Sequence, residues 1–231
     1  MNDLLFYITI SIAILTFIIA TYNDHKKRSV NFLIFVPLMV ISNIFIVVST
    51  GNYIFPLFAD IIWLLLFLNP EIWVFPLPIV FVLAVGIFLF KDSIIENINL
   101  IIVGLVGLSG TKEKLFGIGD LKGIIASILS FFPLSLTLGT YYRIQIPLVI
   151  FFVLNLGISA SAALIWSFIY TKKVTGKIGY YVRYEGDVDR IRFREIERNG
   201  KKYVSYKIPF MGFILIAYIL TVTAFIAGIP L

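Results

Sequence analysis

Two aspartates, Asp24 and Asp120, each lie where a long apolar segment meets a short charged stretch. A carboxylate at a membrane boundary is costly to place and commonly has a function. Two carboxylates held within a few ångströms cannot both ionise, so the pKa of one rises while that of the other falls. The ionised member can then take a proton from water, while the protonated member polarises a carbonyl group. These residues are therefore candidates for an acid–base pair.

Each aspartate alone has a simpler interpretation. Asp24 fits a solvated loop in which the basic residues 26–28 face anionic lipid headgroups. Asp120 fits the N-cap of the helix that follows it. Gly117 and Gly119 precede Asp120, and glycines let a backbone approach a peptide closely and adopt torsions closed to other residues. The combination favours a pair over two unrelated charges.

The composition places these residues in a membrane protein. Of 231 residues, 60% are hydrophobic, and the mean hydropathy is +1.00, beyond the range of ordinary soluble domains. The sequence predicts an all-α polytopic membrane protein with six to eight transmembrane helices. The apolar segments are 4–21, 30–49, 53–68, 72–90, 94–110, 121–140, 144–170 and 208–230. Two of them, 53–68 and 94–110, are short enough to be re-entrant or interfacial.

The distribution of positive charge predicts the orientation. Of the 19 Lys and Arg residues, 17 fall into three clusters, at 26–28, 112–122 and 172–207. Positively charged residues accumulate on the cytoplasmic side of a membrane. An even number of crossings must then separate the first two clusters. We therefore expect Asp24 and Asp120 on the cytoplasmic face of a multi-pass plasma-membrane protein.

The predicted organisation has three parts: a transmembrane helical core at 1–170 that carries both aspartates, a small cytoplasmic β-rich insertion at 171–207, and a final transmembrane helix at 208–231. Three stretches of the insertion have strand-like patterning: 180–184, 191–196 and 202–206. Asn199-Gly200 is a strong hairpin signal. A small antiparallel sheet is expected.

Composition also excludes several chemistries. The chain has no cysteine, which excludes disulfides, thiolate zinc sites and a cysteine nucleophile. Its single histidine, His25, cannot form a multi-histidine metal site within one chain. We expect no metal, no cofactor and no nucleic-acid partner.

The residues around the two aspartates suggest a family. Asp24 at the end of the first apolar segment, followed by a basic run and Asn31, resembles the first motif of type IV prepilin and preflagellin (prearchaellin) peptidases. Gly-Ile-Gly-Asp at 117–120, followed by Lys122, resembles their Gly-x-Gly-Asp motif. The pattern Lys-Ile-Pro-Phe-Met-Gly-Phe at 207–213 is also similar to those enzymes.

This resemblance implies a membrane aspartyl endopeptidase that removes a short basic leader from pilin-like or archaellin precursors at the cytoplasmic face. Asp24 and Asp120 map onto the catalytic pair. Gly117, Gly119, Lys122 and Asn31 map onto the supporting motif positions. The implied partners are the precursor proteins and the lipid bilayer, and the oligomeric state stays open.

Three features depart from the family pattern. The cysteine-rich zinc motif of many bacterial members is absent, which favours the archaeal branch and argues against an N-methyltransferase activity. Ser-Val-Asn at 29–31 replaces the more usual Ile-Pro-Asn. The 95 residues between the two aspartates exceed the spacing expected for the shorter archaeal members.

Two alternatives stay open. A presenilin or signal-peptide-peptidase type of protease shares Gly-x-Gly-Asp but pairs it with Tyr-Asp and Pro-Ala-Leu, whereas Asp24 follows Asn23 and Pro-Ala-Leu does not occur. A small proton-coupled transporter could use the aspartates as proton-relay groups. Transporters more commonly place such carboxylates near the bilayer midplane, between internal repeats.

Overall fold

The computed structural model describes residues 2–66, 76–90, 94–109, 117–138 and 144–227. Within these ranges the α-helices are α1 (Asn2–Lys27), α2 (Val36–Thr50), α3 (Ile54–Leu65), α4 (Pro76–Leu89), α5 (Ile94–Ser109), α6 (Ile118–Phe131), α7 (Leu148–Thr175) and α8 (Phe210–Ile226). The strands are β1 (Ser135–Leu138), β2 (Ile144–Pro147), β3 (Val182–Arg183), β4 (Phe193–Arg198) and β5 (Lys201–Tyr206). A short 3₁₀-helix, Phe32–Phe35, precedes α2. The predicted basic residues Lys112 and Lys114 lie outside the described ranges.

The protein is mostly helical, and its long helices are those of a membrane protein. Three described helical spans are long and apolar enough to cross a bilayer: Leu4–Lys27, Phe32–Thr50 and Leu148–Thr175. Helices α3, α4, α5 and α8 are also apolar but shorter.

Helix α6 occupies the centre of the helical core. Residues 121–132 are all buried, because α1, α2, α3, α5, α7 and α8 surround the helix. Near its C-terminal end, the Phe131 ring stacks on the Tyr218 ring of α8 at 4.6 Å between centroids. The Tyr218 hydroxyl also lies 3.1 Å from the Ser130 hydroxyl. These contacts fix the helix that carries Asp120 at its other end.

The predicted apolar segment 121–140 is not one helix. Helix α6 ends at Phe131, and β1 then pairs with β2 as an antiparallel hairpin that leads into α7. Pro133 follows the end of α6, and proline cannot donate the backbone hydrogen bond that would continue the helix. A helix of 14 residues is about 21 Å long, shorter than the roughly 30 Å hydrocarbon core of a bilayer.

The second sheet lies in the polar stretch that follows α7. Its strand order is β3-β5-β4, and both pairings are antiparallel. Asn199 and Gly200 join β4 to β5 with φ angles of 52° and 67°, the left-handed conformations that a tight two-residue hairpin turn requires. The predicted hairpin is confirmed. The expected strand 180–184 is reduced to Val182–Arg183.

Strand β5 is attached to the helical core through Tyr206. The backbone N–H of Tyr206 donates to the Thr171 hydroxyl at 3.4 Å, and the Tyr206 carbonyl accepts from the Ser167 hydroxyl at 3.4 Å. Its ring stacks on Tyr170 at 4.8 Å. Because Ser167, Tyr170 and Thr171 belong to α7, the sheet is docked on the end of this helix, next to the start of α8.

Candidate active site

The two aspartates line one cavity of about 190 Å³ between the helical core and the sheet. Asp24 comes from the last turn of α1 and Asp120 from the first turn of α6. Tyr206 and Lys207 are part of the opposite wall. Helix packing therefore brings together two carboxylates that are far apart along the chain.

Asp24 is a buried helical residue. Its side chain and backbone together are only 7% exposed, and its Oδ2 accepts the N–H of Met211 at 3.1 Å. Met211 lies in the first turn of α8, where backbone N–H groups have no partner within the helix. The alternative of a solvated loop charge is therefore wrong for Asp24.

Asp120 is the third residue of α6 and not its N-cap. Gly117 occupies the N-cap position, and its backbone N–H donates to Asp120 Oδ2 at 3.0 Å. The expected N-cap role is therefore wrong, although the side chain still satisfies a backbone donor at the helix start. This bond fixes one oxygen of the Asp120 side chain.

The motif glycines do not need unusual torsions. Gly117 has φ −73° and ψ 157°, an extended conformation that any residue adopts, and Gly119 is helical. A Cβ built on Gly119 would lie 3.7 Å from the Val30 carbonyl oxygen, an ordinary contact distance. The expectation of glycine-only torsions is wrong here. Both glycines line the cavity, so their missing side chains leave its wall open beside Asp120.

The two carboxylates differ in their electrostatic surroundings. Burial raises the pKa of Asp120 to about 7, the negative charge of Asp24 acts in the same direction, and the Gly117 N–H acts against them. Around Asp24, burial disfavours the ionised form, and the Met211 N–H and the positive charge of Arg28 partly offset that cost. These two partners make Asp24 the better candidate for the ionised member and Asp120 the better candidate for the protonated one.

The other two predicted motif residues lie away from the cavity lining. Lys122 is buried, its Nζ lies 5.2 Å from the Phe32 ring centroid, and its carbonyl accepts from the Trp63 indole N–H. Asn31 is exposed and caps the short 3₁₀-helix by accepting the Leu33 N–H at 3.1 Å. Lys122 therefore packs within the helix that carries Asp120, whereas Asn31 caps the 3₁₀-helix that follows the basic run.

Sequence reasoning missed two residues that stabilise the charge of Asp24. Met211 belongs to the 207–213 pattern, which supported the family resemblance but to which no functional role was assigned. Arg28 belongs to a basic run that was expected to face lipid headgroups. Lys26 and Lys27 are exposed, whereas Arg28 turns to the cavity. The backbone of Arg28 leaves the helix in a left-handed conformation, and no pattern in the sequence signals it.

Within the described residues, no group of three or more His, Cys, Asp or Glu side chains could hold a metal ion. The fold and the cavity define a helical membrane protein in which two acidic side chains line one cavity. No protein-family model, curated protein or solved structure matches this chain.

Proposed function

We propose that the protein is a membrane aspartyl endopeptidase that removes the basic leader from type IV pilin-like or archaellin precursors at the cytoplasmic face. The observation that carries this proposal is the shared cavity of Asp24 and Asp120. The chain carries the Gly-x-Gly-Asp motif at one carboxylate and an Asp followed by a basic run at the other.

The mechanism follows from the different surroundings of the two carboxylates. Asp24 accepts a proton from a water molecule, whose oxygen attacks the scissile carbonyl carbon. Asp120 donates its proton to the carbonyl oxygen and stabilises the tetrahedral intermediate. The roles then reverse: Asp120 takes the proton back from the intermediate, and Asp24 gives its proton to the leaving nitrogen as the C–N bond breaks. The two residues titrate as one unit.

A cleavage assay tests this proposal. Membranes containing wild-type protein, Asp24→Asn or Asp120→Asn are mixed with a precursor that bears a basic pilin-like leader. We expect cleavage by the wild type only, with all three proteins present at equal levels. Cleavage that survives either substitution contradicts the assignment of the pair.

The proposal includes eight membrane crossings with both aspartates in the cytoplasm. Asn52 Nδ2 donates to Glu96 Oε1 at 2.6 Å, so α3 and α5 begin at the same end of the core. This arrangement supports three crossings by α3, α4 and α5 instead of re-entrant segments. The clusters of basic residues support a cytoplasmic location for the opposite end.

The absence of cysteine allows a direct test of this topology. Single cysteines at Asn52 and Glu96 are expected to react with a membrane-impermeant maleimide in intact cells. A cysteine at Lys201, in the exposed hairpin, should react only after permeabilisation. Protection of position 96 together with labelling of position 52 would favour six crossings.

One observation favours a second candidate, a small proton-coupled transporter. Asp60 lies in the middle of the apolar helix α3, where Asn43 Nδ2 of α2 donates to its Oδ2 at 2.8 Å. Ionisable residues inside a membrane commonly mark proton pathways. Proton flux in vesicles that depends on Asp60, without precursor cleavage, would support this candidate over the peptidase.

A further inference from the structure

The backbone of Arg28 has an unusual conformation. Its φ is 53°, in the left-handed region that side chains other than glycine rarely adopt. Helices commonly end on a residue in this conformation, and the Arg28 N–H closes α1 by donating to the Asp24 carbonyl at 2.8 Å. The left-handed conformation turns the Arg28 side chain away from the exposed Lys26 and Lys27 and toward the cavity.

Arg28 joins the helical core to the sheet. Its Nη2 donates to the Tyr206 hydroxyl at 2.6 Å, and the guanidinium carbon lies 5.1 Å from the centre of the Tyr206 ring. Tyr206 is itself held on α7 through its backbone and its ring. This contact therefore joins the two walls of the cavity beside Asp24.

The same guanidinium has unused donors. Arg28 Nε and Nη1 are buried and have no hydrogen-bond partner. Leaving a buried donor unpaired is costly, most of all for a charged group, and native proteins do so rarely. Because Arg28 lines the cavity of the candidate catalytic pair, these donors are available to an acceptor that enters it.

The size of the cavity indicates how an acceptor reaches them. Its volume of about 190 Å³ is below the roughly 300–1,000 Å³ of typical small-molecule pockets. An extended peptide is larger than such a ligand, so the sheet and the helices must separate to admit it. That separation breaks the contact between Arg28 and Tyr206 and opens the two unused donors to the peptide.

Charge identifies the part of the substrate that binds there. Arg28, Arg194 and Lys207 line the cavity together with the two aspartates. The Lys207 ammonium donates to the Arg190 carbonyl at 2.7 Å, so the guanidinium groups are the candidate donors toward the cavity. A peptide carbonyl oxygen accepts hydrogen bonds from a guanidinium, which makes the neutral backbone next to the scissile bond the expected partner.

We propose that Arg28 is a substrate-binding residue that exchanges the Tyr206 hydroxyl for a backbone carbonyl of the precursor next to the scissile bond. This inference rests on the proposed peptidase function. It assigns opposite effects to the two ends of one hydrogen bond. Loss of the Arg28 guanidinium removes a substrate contact, whereas loss of the Tyr206 hydroxyl removes a group that competes with the substrate for Arg28.

Three variants test the inference with a synthetic peptide that contains a basic leader and the following apolar segment. Arg28→Lys keeps the positive charge but loses the planar guanidinium and its several N–H donors. We expect its KM to rise about 10–100-fold, the value of a hydrogen bond to a charged group, with kcat within about threefold of wild type. Tyr206→Phe keeps the ring, and its KM should fall about three- to tenfold. Lys27→Gln, an exposed neighbour, should match the wild type.

A structural role predicts a different pattern. If Arg28 only fastens the sheet, both Arg28→Lys and Tyr206→Phe should raise KM alike. A wild-type KM for Arg28→Lys would show that charge alone suffices. Either result overturns the inference. Thermal unfolding of each purified variant in detergent identifies a folding defect that would raise KM without any lost contact.

Peptide affinity separates this inference from the proposed cleavage. The dissociation constant of the labelled peptide is measured by fluorescence anisotropy on Asp120→Asn protein, with and without Arg28→Lys or Tyr206→Phe. Opposite shifts in affinity support the inference, even if the wild type cleaves nothing and the peptidase proposal fails. Affinities that do not change, or a peptide that does not bind, overturn it.

Discussion

Two carboxylate sites in the helical core differ in their surroundings. Asp24 and Asp120 share a cavity, and the charge of one raises the pKa of the other. Asp60 lies between α2 and α3, where its described polar partner is the neutral amide of Asn43 at 2.8 Å. The first site combines two carboxylates, a cavity and the backbone N–H donors of Met211 and Gly117. The second holds a single hydrogen bond between two helices, and Asp60 Oδ1 and Asn43 Oδ1 are buried without a partner among the described residues.

The difference separates reactive from structural acidic residues in an apolar protein. A general base needs a neighbouring acid, a route for water and an environment that sets their protonation states. Asp60 is not part of the cavity lining, and an interhelical hydrogen bond is its evident role. Burial alone does not distinguish the two sites, but the identity of the neighbours does.

The largest expected effect tests this contrast directly. We predict that Asp24→Asn and Asp120→Asn each reduce precursor cleavage by about 10²–10⁴-fold, the usual contribution of a general acid or base. Asp60→Asn should stay within a fewfold of wild type, because an amide can still pair with Asn43. Initial cleavage rates at equal protein levels are the measurement. A comparable loss for Asp60→Asn would place Asp60 in the mechanism.

The second prediction concerns pH. Cleavage requires a protonated Asp120, and its pKa lies at about 7. The rate should therefore fall as pH rises above about 7, by roughly tenfold per unit once the residue is deprotonated. It should also fall in acid, where Asp24 becomes protonated. A pH–rate profile measures both limbs.

His25 requires a control for this profile, because histidine side chains ordinarily titrate in the same range. His25 is exposed and adjacent to Asp24. The variant His25→Gln should retain the alkaline limb. Its disappearance would assign that limb to His25 instead of the carboxylate pair.

The third prediction concerns stability at the second site. Asn43→Leu removes the partner of Asp60 and should lower the free energy of unfolding by about 1–3 kcal/mol, the cost of an unpaired buried polar group. Replacing both residues with leucine should restore most of the loss. Unfolding of the purified protein in mixed micelles provides the measurement. A double variant that is less stable than Asn43→Leu would contradict a purely structural pair.

The smallest expected effects are the stability changes caused by alanine at two glycine positions. A Cβ on Gly104 of α5 would lie 2.3–2.6 Å from three side-chain atoms of Leu83, so Gly104→Ala should cost about 1–2 kcal/mol of stability. Gly119→Ala meets only ordinary contacts and should change stability by less than about 0.5 kcal/mol. Thermal unfolding of both variants checks the pair. A large destabilisation by Gly119→Ala would show a steric need for the motif glycine.

Local sequence patterns predicted which helices and strands are present better than they predicted the residues at which these elements end. The Asn199-Gly200 hairpin is present because two residues with positive φ suffice to define its turn. The predicted segment 121–140 was wrong beyond Phe131, because hydropathy does not distinguish an apolar helix from an apolar strand. Asp120 was also misplaced at the N-cap, since helix ends are the least certain part of such a prediction.

Composition and turn residues alone establish an apolar helical protein with a small polar sheet, and the motifs single out Asp24 and Asp120. Composition and turn residues act locally, so they can be read along the chain. The tertiary structure decided that the two carboxylates share a cavity, that Met211 donates to Asp24, and that Arg28 joins Tyr206. These contacts depend on how α1, α6, α8 and the sheet pack, and residues 95 or more positions apart carry no local signal of their separation.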